Sequence, residues 1–230
     1  MHTAARIIST ALITAGLVVL ADAATTLLWQ EPVSAAYSSL QQDRASGELQ
    51  DLEDEFAAGD LGGLSSGEDA AQAKALAERF SQQIENGDAI GRLKIDDIGL
   101  KTVFFQGTDT ATLQAGPGHY EVTPLPGEEG TVAIAGHRTT YLAPFRRINE
   151  IEDGDEIRLE MPYGTFTYIV EKHEIVDPSD VHIINPVGYD RLVLTACHPL
   201  YSAAQRWVIF AKLDRNDTFA VSADGRWPNL

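Results

Sequence analysis

The stretch LVLTACHPLYSAAQRWVIFAKL, from Leu192 to Leu213, holds two apolar runs joined by a polar loop. The first run ends at Cys197, the only cysteine in the chain, and Pro199 soon after it cannot donate to a strand ladder. The second run starts directly after Arg206. The pattern predicts two strands whose ends carry a thiol and a guanidinium into a loop region. On its own it leaves open whether Cys197 is a buried apolar residue or a nucleophile.

The same pattern of short apolar runs between turn residues extends upstream to residue 90. The predicted strands are Ile90–Ile95, Leu100–Gln106, His119–Thr123, Thr131–Gly136, Glu156–Met161, Phe166–Val176, Leu192–Cys197 and Trp207–Leu213. Eight strands with alternating faces and short links favour an all-β fold, a closed eight-stranded barrel rather than an open sheet. We also expect short helices at Asp109–Ala115 and Tyr141–Ile148, and a hairpin that turns at Tyr163-Gly164.

Composition narrows the classes of protein that the chain can represent. Its 230 residues suffice for one good-sized domain with appendages, and its single cysteine excludes an intrachain disulfide. The formal net charge of −17 argues against nucleic-acid binding and against docking on anionic lipid through a basic patch. Acidic residues concentrate in residues 41–97, with 14 Asp and Glu against 5 Lys and Arg, which indicates a solvated region outside the main core.

The first thirty residues allow two interpretations. The segment from Ile7 to Trp29 is long enough to span a bilayer, with Arg6 on the inner side. Alternatively, Ile7 to Leu20 is the core of a signal peptide that is cleaved after Ala21-Asp22-Ala23. Both interpretations place the rest of the chain outside the cytoplasm.

Residues 31–67 are polar, acidic and rich in small side chains, which is typical of a linker or a weak helix. A true helix is predicted at Glu68–Glu85, because Ser65 and Glu68 form a capping-box pattern and Leu76, Phe80 and Ile84 line one face. The predicted organisation is an N-terminal membrane anchor at 1–30, an acidic linker with a helix at 31–87, the barrel at 88–214 and a tail at 215–230.

A second apolar run, TVAIAGHR, ends in Gly136-His137-Arg138. A thiol, an imidazole and a guanidinium at neighbouring strand ends can perform acyl transfer, by attack on an amide carbonyl, protonation of the departing amine and stabilisation of the oxyanion. The adjacent His198 is a poor partner for Cys197, because successive side chains on a strand point to opposite faces. We expect His198 to be solvated.

These residues resemble a known family. LTACHPLYSAAQRWVIFAKL is similar to the sortase signature, in which a strand ends in a Thr-Leu-x-Thr-Cys run and an arginine about nine residues later opens the next strand. GTVAIAGHRTTYLAPFRRI, residues 130–148, resembles the sortase segment with the catalytic histidine, and most resembles class E of actinobacteria. GTDTATLQAGPGHYEVTPLPGEEG, residues 107–130, also fits that class.

The resemblance implies a cysteine transpeptidase in which Cys197 is the nucleophile, His137 the general acid and base, and Arg206 the oxyanion or substrate-orienting residue. Such an enzyme cleaves an LPXTG- or LAXTG-like sorting signal after Thr, holds a thioacyl intermediate and needs no cofactor. The acylated partner is a surface protein or pilin. The acceptor is an amine of a peptidoglycan precursor or a pilin lysine.

The resemblance also implies residues that contact substrate. Tyr120 in GPGHY is a candidate for the motif preference, and Thr195 and Ala196 directly precede the nucleophile. Ala196 departs from the family pattern, which usually has threonine there, so a hydroxyl that would help to hold substrate is missing. The acidic loop residues Glu128 and Glu129 do not make a convincing calcium ligand set, and no metal is predicted.

Family members are usually tethered, so the resemblance favours an uncleaved, single-pass anchor in the cell membrane. The N-terminus then lies inside, the barrel lies outside, and the acidic residues act as a spacer. Two alternatives from other functional classes remain: a secreted β-barrel binding module with an inert thiol, and a cysteine peptidase that only hydrolyses.

Overall fold

The computed structural model describes residues 2–28, 32–58 and 70–215, and in that part of the chain eight strands close into a barrel. The strands are β1 (Ala89–Ile95), β2 (Leu100–Gln106), β3 (Gly118–His119), β4 (Thr131–Gly136), β5 (Glu156–Met161), β6 (Gly164–Val176), β7 (Arg191–His198) and β8 (Gln205–Leu213). Their order around the barrel is β1-β2-β3-β4-β7-β8-β6-β5. The β2–β3 and β4–β7 pairs are parallel, and the other neighbours are antiparallel. The predicted all-β barrel is confirmed.

Four helices accompany the barrel in the described residues, and short 3₁₀ turns lie between its strands. The helices are α1 (His2–Leu28), α2 (Pro32–Ala58), α3 (Ala70–Ser81) and α4 (Thr110–Ala115), and the 3₁₀ turns are Asp96–Ile98, Ile148–Glu150 and Val181–Ile184. The barrel interior is apolar, because alternate side chains of each strand point inward. Phe104, Ile134, Leu159, Phe166 and Ile209 are all fully buried there.

The helix predicted at Glu68–Glu85 is present as α3, with Leu76 and Phe80 buried in the main core as expected. It ends earlier than predicted, since the Gln83 amide donates to the Phe80 carbonyl in a tighter, three-residue turn. The predicted capping pair, Ser65 and Glu68, lies outside the described residues.

The segment predicted as a linker or weak helix contains α2, a helix of 27 residues. Its buried positions follow one another at intervals of four or seven residues, as one face of a helix requires. They are Ser34, Ser38, Ala45, Leu49 and Glu53. Most of these buried side chains are polar or small, so residues 32–58 show no apolar period that predicts a docked helix.

Polar contacts fix α2 to the barrel. The Gln42 amide donates to the carbonyls of Val103 and Ala115 at 3.0 and 2.9 Å, and its oxygen accepts from the Val103 N–H at 2.8 Å. Glu53 pairs with Arg92 of β1, and burial raises the pKa of Glu53 while the Arg92 guanidinium opposes that rise. This helix lies against the barrel wall, which corrects the interpretation of the segment as a spacer.

Two local predictions were wrong. The strand predicted at His119–Thr123 stops at His119, because the Thr123 N–H and hydroxyl both return to the Tyr120 carbonyl and form a turn. The helix predicted at Tyr141–Ile148 is a series of turns, since Tyr141, Leu142 and Ala143 have φ of 52°, 62° and 43°. A left-handed backbone cannot continue a right-handed helix.

The hairpin between β5 and β6 turns at Pro162-Tyr163, one residue before the predicted position, because Met161 pairs directly with Gly164. The buried Tyr163 hydroxyl donates to the Pro126 carbonyl at 2.8 Å. That bond explains why an aromatic residue occupies the turn.

The expected N-terminal apolar helix is present as α1. Its stretch from Ala4 to Ala21 has a mean hydropathy of 2.0 and is long and apolar enough to cross a membrane. The described structure buries none of that stretch. Trp29, the end of the predicted membrane-spanning segment, lies outside the described residues.

Candidate active site

Three neighbouring strands bring the predicted catalytic residues into one row. β4 and β7 run parallel with Gly136 paired to Ala196, so His137 lies one position beyond the last pair, next to Cys197. β7 and β8 are antiparallel, and Cys197 is directly opposite Arg206. Neighbouring strands lie about 4.8 Å apart, so the three residues occupy adjacent backbone positions on neighbouring strands. We call His137, Cys197 and Arg206 the site row.

The site row lies on the outside of the barrel. Ala196 and Trp207, which neighbour Cys197 and Arg206 along the chain, pack into the interior, and side chains alternate along a strand. Small and apolar side chains continue the outward face next to the row, namely Ala133, Ala135, Val193, Thr195, Val208 and Phe210. The 3₁₀ turn at Val181–Ile184 packs against this outward apolar surface through Ile183 and Ile184.

His137 is half-buried at the end of β4. Its ring lies 5.1 Å from the Tyr141 ring, measured between centroids, and its carbonyl accepts from the Phe145 N–H at 3.0 Å. Burial lowers the pKa of His137 below its ordinary value. The neutral imidazole therefore dominates at neutral pH, and a neutral imidazole can accept a proton from a thiol.

Arg206 opens β8 across from the nucleophile. Its Nη1 donates to the carbonyls of Ala203 and Gln205, both at 3.0 Å. These bonds tie the guanidinium to the loop between β7 and β8. The predicted neighbours Cys197 and Arg206 are thus brought together by the strand register.

Tyr120 and Thr195, both predicted to contact substrate, contact each other. The Tyr120 and Thr195 hydroxyls lie 3.1 Å apart, and Thr195 is only 2% exposed. Tyr120 packs on the outward apolar surface, two strands away from Cys197 in the order of the barrel. Thr195 is therefore buried, whereas Tyr120 is only half-buried.

The interpretation of Ala196 changes with the structure. Its side chain is 2% exposed and lies in the barrel core, on the opposite face from Cys197. The absent threonine hydroxyl is therefore missing from the interior side of β7. Ala196 does not present its side chain on the substrate face.

His198 is not solvated, contrary to expectation. It is half-buried at the inner end of β7, with its ring 5.5 Å from the Trp207 ring and its Nδ1 3.1 Å from Nη1 of Arg138. The sequence correctly separated His198 from Cys197 by face, but it did not reveal that the inner face holds a buried arginine there.

The other histidines stand apart from the site row. His173 is exposed, although its ring stacks on Trp207 at 4.9 Å, and His182 is exposed in the 3₁₀ turn at Val181–Ile184. His119 is buried between Gln106, Pro124 and Thr123, and burial lowers its pKa to about 4. Across residues 2–28, 32–58 and 70–215, no three His, Cys, Asp or Glu side chains cluster in a way that could hold a metal ion.

Two residues near the site escaped sequence reasoning. Tyr141 contacts His137, but the segment around it was predicted as a helix. Arg138 is 5% exposed, and an arginine in a polar sequence context gives no sign of burial. Its position directly after His137 was the one available signal.

A closed barrel with a cysteine between a histidine and an arginine on three adjacent strands defines the class of protein, an all-β cysteine enzyme. A family model described as "Sortase domain" matches residues 93–214, more than half of the 230 residues. The chain belongs to the sortase family, whose members are cysteine transpeptidases.

Relatives from two classes match. Sortase D of Bacillus subtilis (strain 168) is 38% identical over 154 residues, which cover 65% of this chain and 74% of the relative. Sortase SrtE1 of Streptomyces coelicolor is 33% identical over 110 residues, which cover 42% of this chain and 31% of that relative. The chain is therefore similar to a sortase named D as well as to a sortase named E.

Solved structures give the same result. The Clostridium perfringens sortase D5 transpeptidase superposes with a TM-score of 0.60 at 26% identity, covering 76% of this chain and 98% of that chain. Sortase E from Streptomyces avermitilis superposes with a TM-score of 0.53 at 32% identity, covering 59% and 93% respectively.

Proposed function

We propose that this protein is a transpeptidase for sorting signals, with Cys197 as nucleophile, His137 as general base and acid, and Arg206 as the group that orients the substrate or its oxyanion. One observation supports the proposal: β4 ends beside Ala196 of β7, one residue before His137, and Cys197 pairs with Arg206 across β7 and β8. The family membership of the chain supports the same assignment.

The proposed reaction has two half-steps. His137 takes the thiol proton, and the Cys197 thiolate attacks the carbonyl carbon of threonine in the sorting signal. The Thr–Gly bond breaks, the imidazolium gives its proton to the departing amine, and a thioacyl bond to Cys197 remains. An acceptor amine then attacks that carbonyl, a new amide forms and the thiol is regenerated.

The proposed substrates are peptides that carry a sorting signal of the LPXTG or LAXTG kind. Tyr120, which is half-buried beside the outward apolar surface, is the proposed contact for the motif preference. The class E-like preference for LAXTG is part of the proposal. Matches to sortases named D and E leave both peptides as candidates to be tested.

We place the enzyme in the cell membrane through α1, as a single pass with the N-terminus inside and the barrel outside. The apolar stretch from Ala4 to Ala21 and Arg6 near its start support this orientation. The proposed partners are surface proteins or pilins that carry the sorting signal, and an amine of a peptidoglycan precursor is the proposed acceptor. The bond chemistry uses no cofactor.

The test is an assay of the full-length chain in detergent, because α2 and α3 pack on the barrel and belong with it. Leu-Pro and Leu-Ala signal peptides are compared with and without an amine acceptor, and Cys197→Ala is the control. We expect ligated product that depends on the amine. Equal peptide release in both conditions would favour a hydrolytic peptidase, and unchanged behaviour of Cys197→Ala would favour a binding module.

A further inference from the structure

Arg138 is a buried cation directly behind the site row. Its side chain is 5% exposed, although it follows the half-buried His137 in the chain. Burial lowers the pKa of its guanidinium, and the nearby Arg146 lowers it further, whereas the interaction with Cys197 raises it. An arginine keeps its charge under such conditions, so its burial needs compensating partners.

The partners of Arg138 come from every element that carries the site. Nη1 donates to the Cys197 carbonyl at 3.4 Å and to Nδ1 of His198 at 3.1 Å, and Nη2 donates to Oδ1 of Asn149 at 2.6 Å. The guanidinium carbon also lies 5.7 Å from the centre of the Trp207 ring. One side chain thus joins the ends of β4 and β7, the start of β8 and the 3₁₀ turn at Ile148–Glu150.

The contact with His198 has a fixed direction. Arginine has only donors, so Nη1 of Arg138 donates and Nδ1 of His198 accepts. His198 therefore serves as a hydrogen-bond acceptor for Arg138 on the inward face.

We propose that Arg138 is a positioning residue that sets the Cys197 backbone against the His137 backbone, with His198 and Asn149 holding its guanidinium. His137 and Arg138 are consecutive, so a side chain anchored on the Cys197 carbonyl couples the general base to the nucleophile through a single peptide unit. A misplacement of about 1 Å in such a pair can cost roughly 10²-fold in rate. This inference rests on the transpeptidase function proposed above.

The test uses the full-length chain in detergent and measures kcat and KM for peptide cleavage in the presence of amine. Arg138→Lys keeps the charge but lacks the planar fork, and we expect its kcat to fall roughly 10- to 100-fold with KM within about twofold. Arg147→Lys is the matched control. Arg147 lies on the same loop and donates to the Ile98 carbonyl at 2.8 Å, outside the site row, so its kcat should be unchanged.

His198 supplies an independent pair of variants in which Arg138 remains. Asparagine can place its oxygen near the position of Nδ1, so His198→Asn should retain most of the kcat, while His198→Ala should lose a few-fold more. The comparison of His198→Asn with His198→Ala tests the positioning role of Arg138 even if Arg138→Lys fails to fold. In Arg138→Lys, the loss of kcat on adding His198→Ala should be smaller than in the wild type, because the two residues share one contact.

Three results would overturn the inference. The first is an Arg138→Lys enzyme with normal kcat. The second is an Arg138→Lys enzyme in which only KM changes, which would place Arg138 on the substrate instead. The third is equal activity of His198→Asn and His198→Ala. A wild-type enzyme that forms no thioacyl adduct would refute the proposed function itself. If the wild type is active and Arg138→Lys has the same kcat, only the positioning role of Arg138 is refuted.

Discussion

The two faces of β7 have opposite characters, although they alternate residue by residue. The outward face carries Val193, Thr195 and Cys197 and leads to the site row. The inward face carries Leu194, Ala196 and His198, and it ends in a contact with a buried arginine. Cys197 and His198 are adjacent in the chain but differ in role, whereas Cys197 and His137, sixty positions apart, belong to the same site row. The reason is that the face of a strand and its pairing determine what a side chain contacts.

The largest expected effect separates the two histidines. His137→Ala should lower kcat/KM by roughly 10²- to 10⁴-fold, because it removes the general base of the site row. His198→Ala should lower kcat/KM by only a few-fold, because His198 lies outside the site row. Steady-state kinetics on the signal peptide measure both. Comparable losses would contradict the division of β7 into a chemical and a structural face.

The next effect concerns the far end of the site row. Arg206→Lys should lower kcat by roughly 10- to 100-fold, since an ammonium cannot reproduce the planar donors of a guanidinium at a developing oxyanion. Arg215→Lys serves as the control, because Arg215 bonds Asp190 on the exposed surface away from the site row. Near-normal turnover of Arg206→Lys would remove Arg206 from the catalytic assignment.

The next prediction concerns His119, a buried histidine on the inward side whose protonation should destabilise the fold. His119 pairs with Ile134 on that side, is 1% exposed and has a pKa lowered to about 4 by burial. The unfolded chain therefore binds a proton first as pH falls, and the free energy of unfolding drops by up to about 3 kcal/mol between pH 6.5 and 4.

Urea unfolding at several pH values measures this dependence in the wild type and in His119→Gln. The carboxylates contribute equally in both proteins, so the difference in slope belongs to His119. The variant should show the flatter dependence, and exposed His182→Gln should match the wild type. Identical slopes for all three proteins would show that His119 does not stay neutral.

The smallest effect tests the residue that departs from the family pattern. Ala196→Thr adds bulk and a hydroxyl to the barrel core, so we expect a loss of roughly 1–3 kcal/mol in the free energy of unfolding and little change in KM. Ala135→Thr makes the same change on the outward face and should mainly raise KM. Urea unfolding and steady-state kinetics distinguish the two, and the reverse outcome would invert the faces of the sheet.

Alternation and turn residues were enough to predict the barrel, since seven of the eight predicted strands overlap observed strands to within two residues at each end. The eighth, His119–Thr123, failed because side-chain bonds of Thr123 made a turn that strand propensity does not register. The docking of α2 on the barrel was not predicted, for a related reason. Its docked face binds through Gln42 and Glu53, which read as solvated residues in a sequence.

The sequence by itself determined which chemical groups the protein has, where its strands lie along the chain, and that Cys197 and His198 point to opposite faces. These depend on local geometry, because the period of a strand is fixed at two residues. Only the tertiary structure decided which distant residues meet. The parallel pairing of β4 with β7 sets His137 beside Cys197, and the same pairing buries Arg138 against the Cys197 carbonyl, because register is a property of two strands together and of neither one alone.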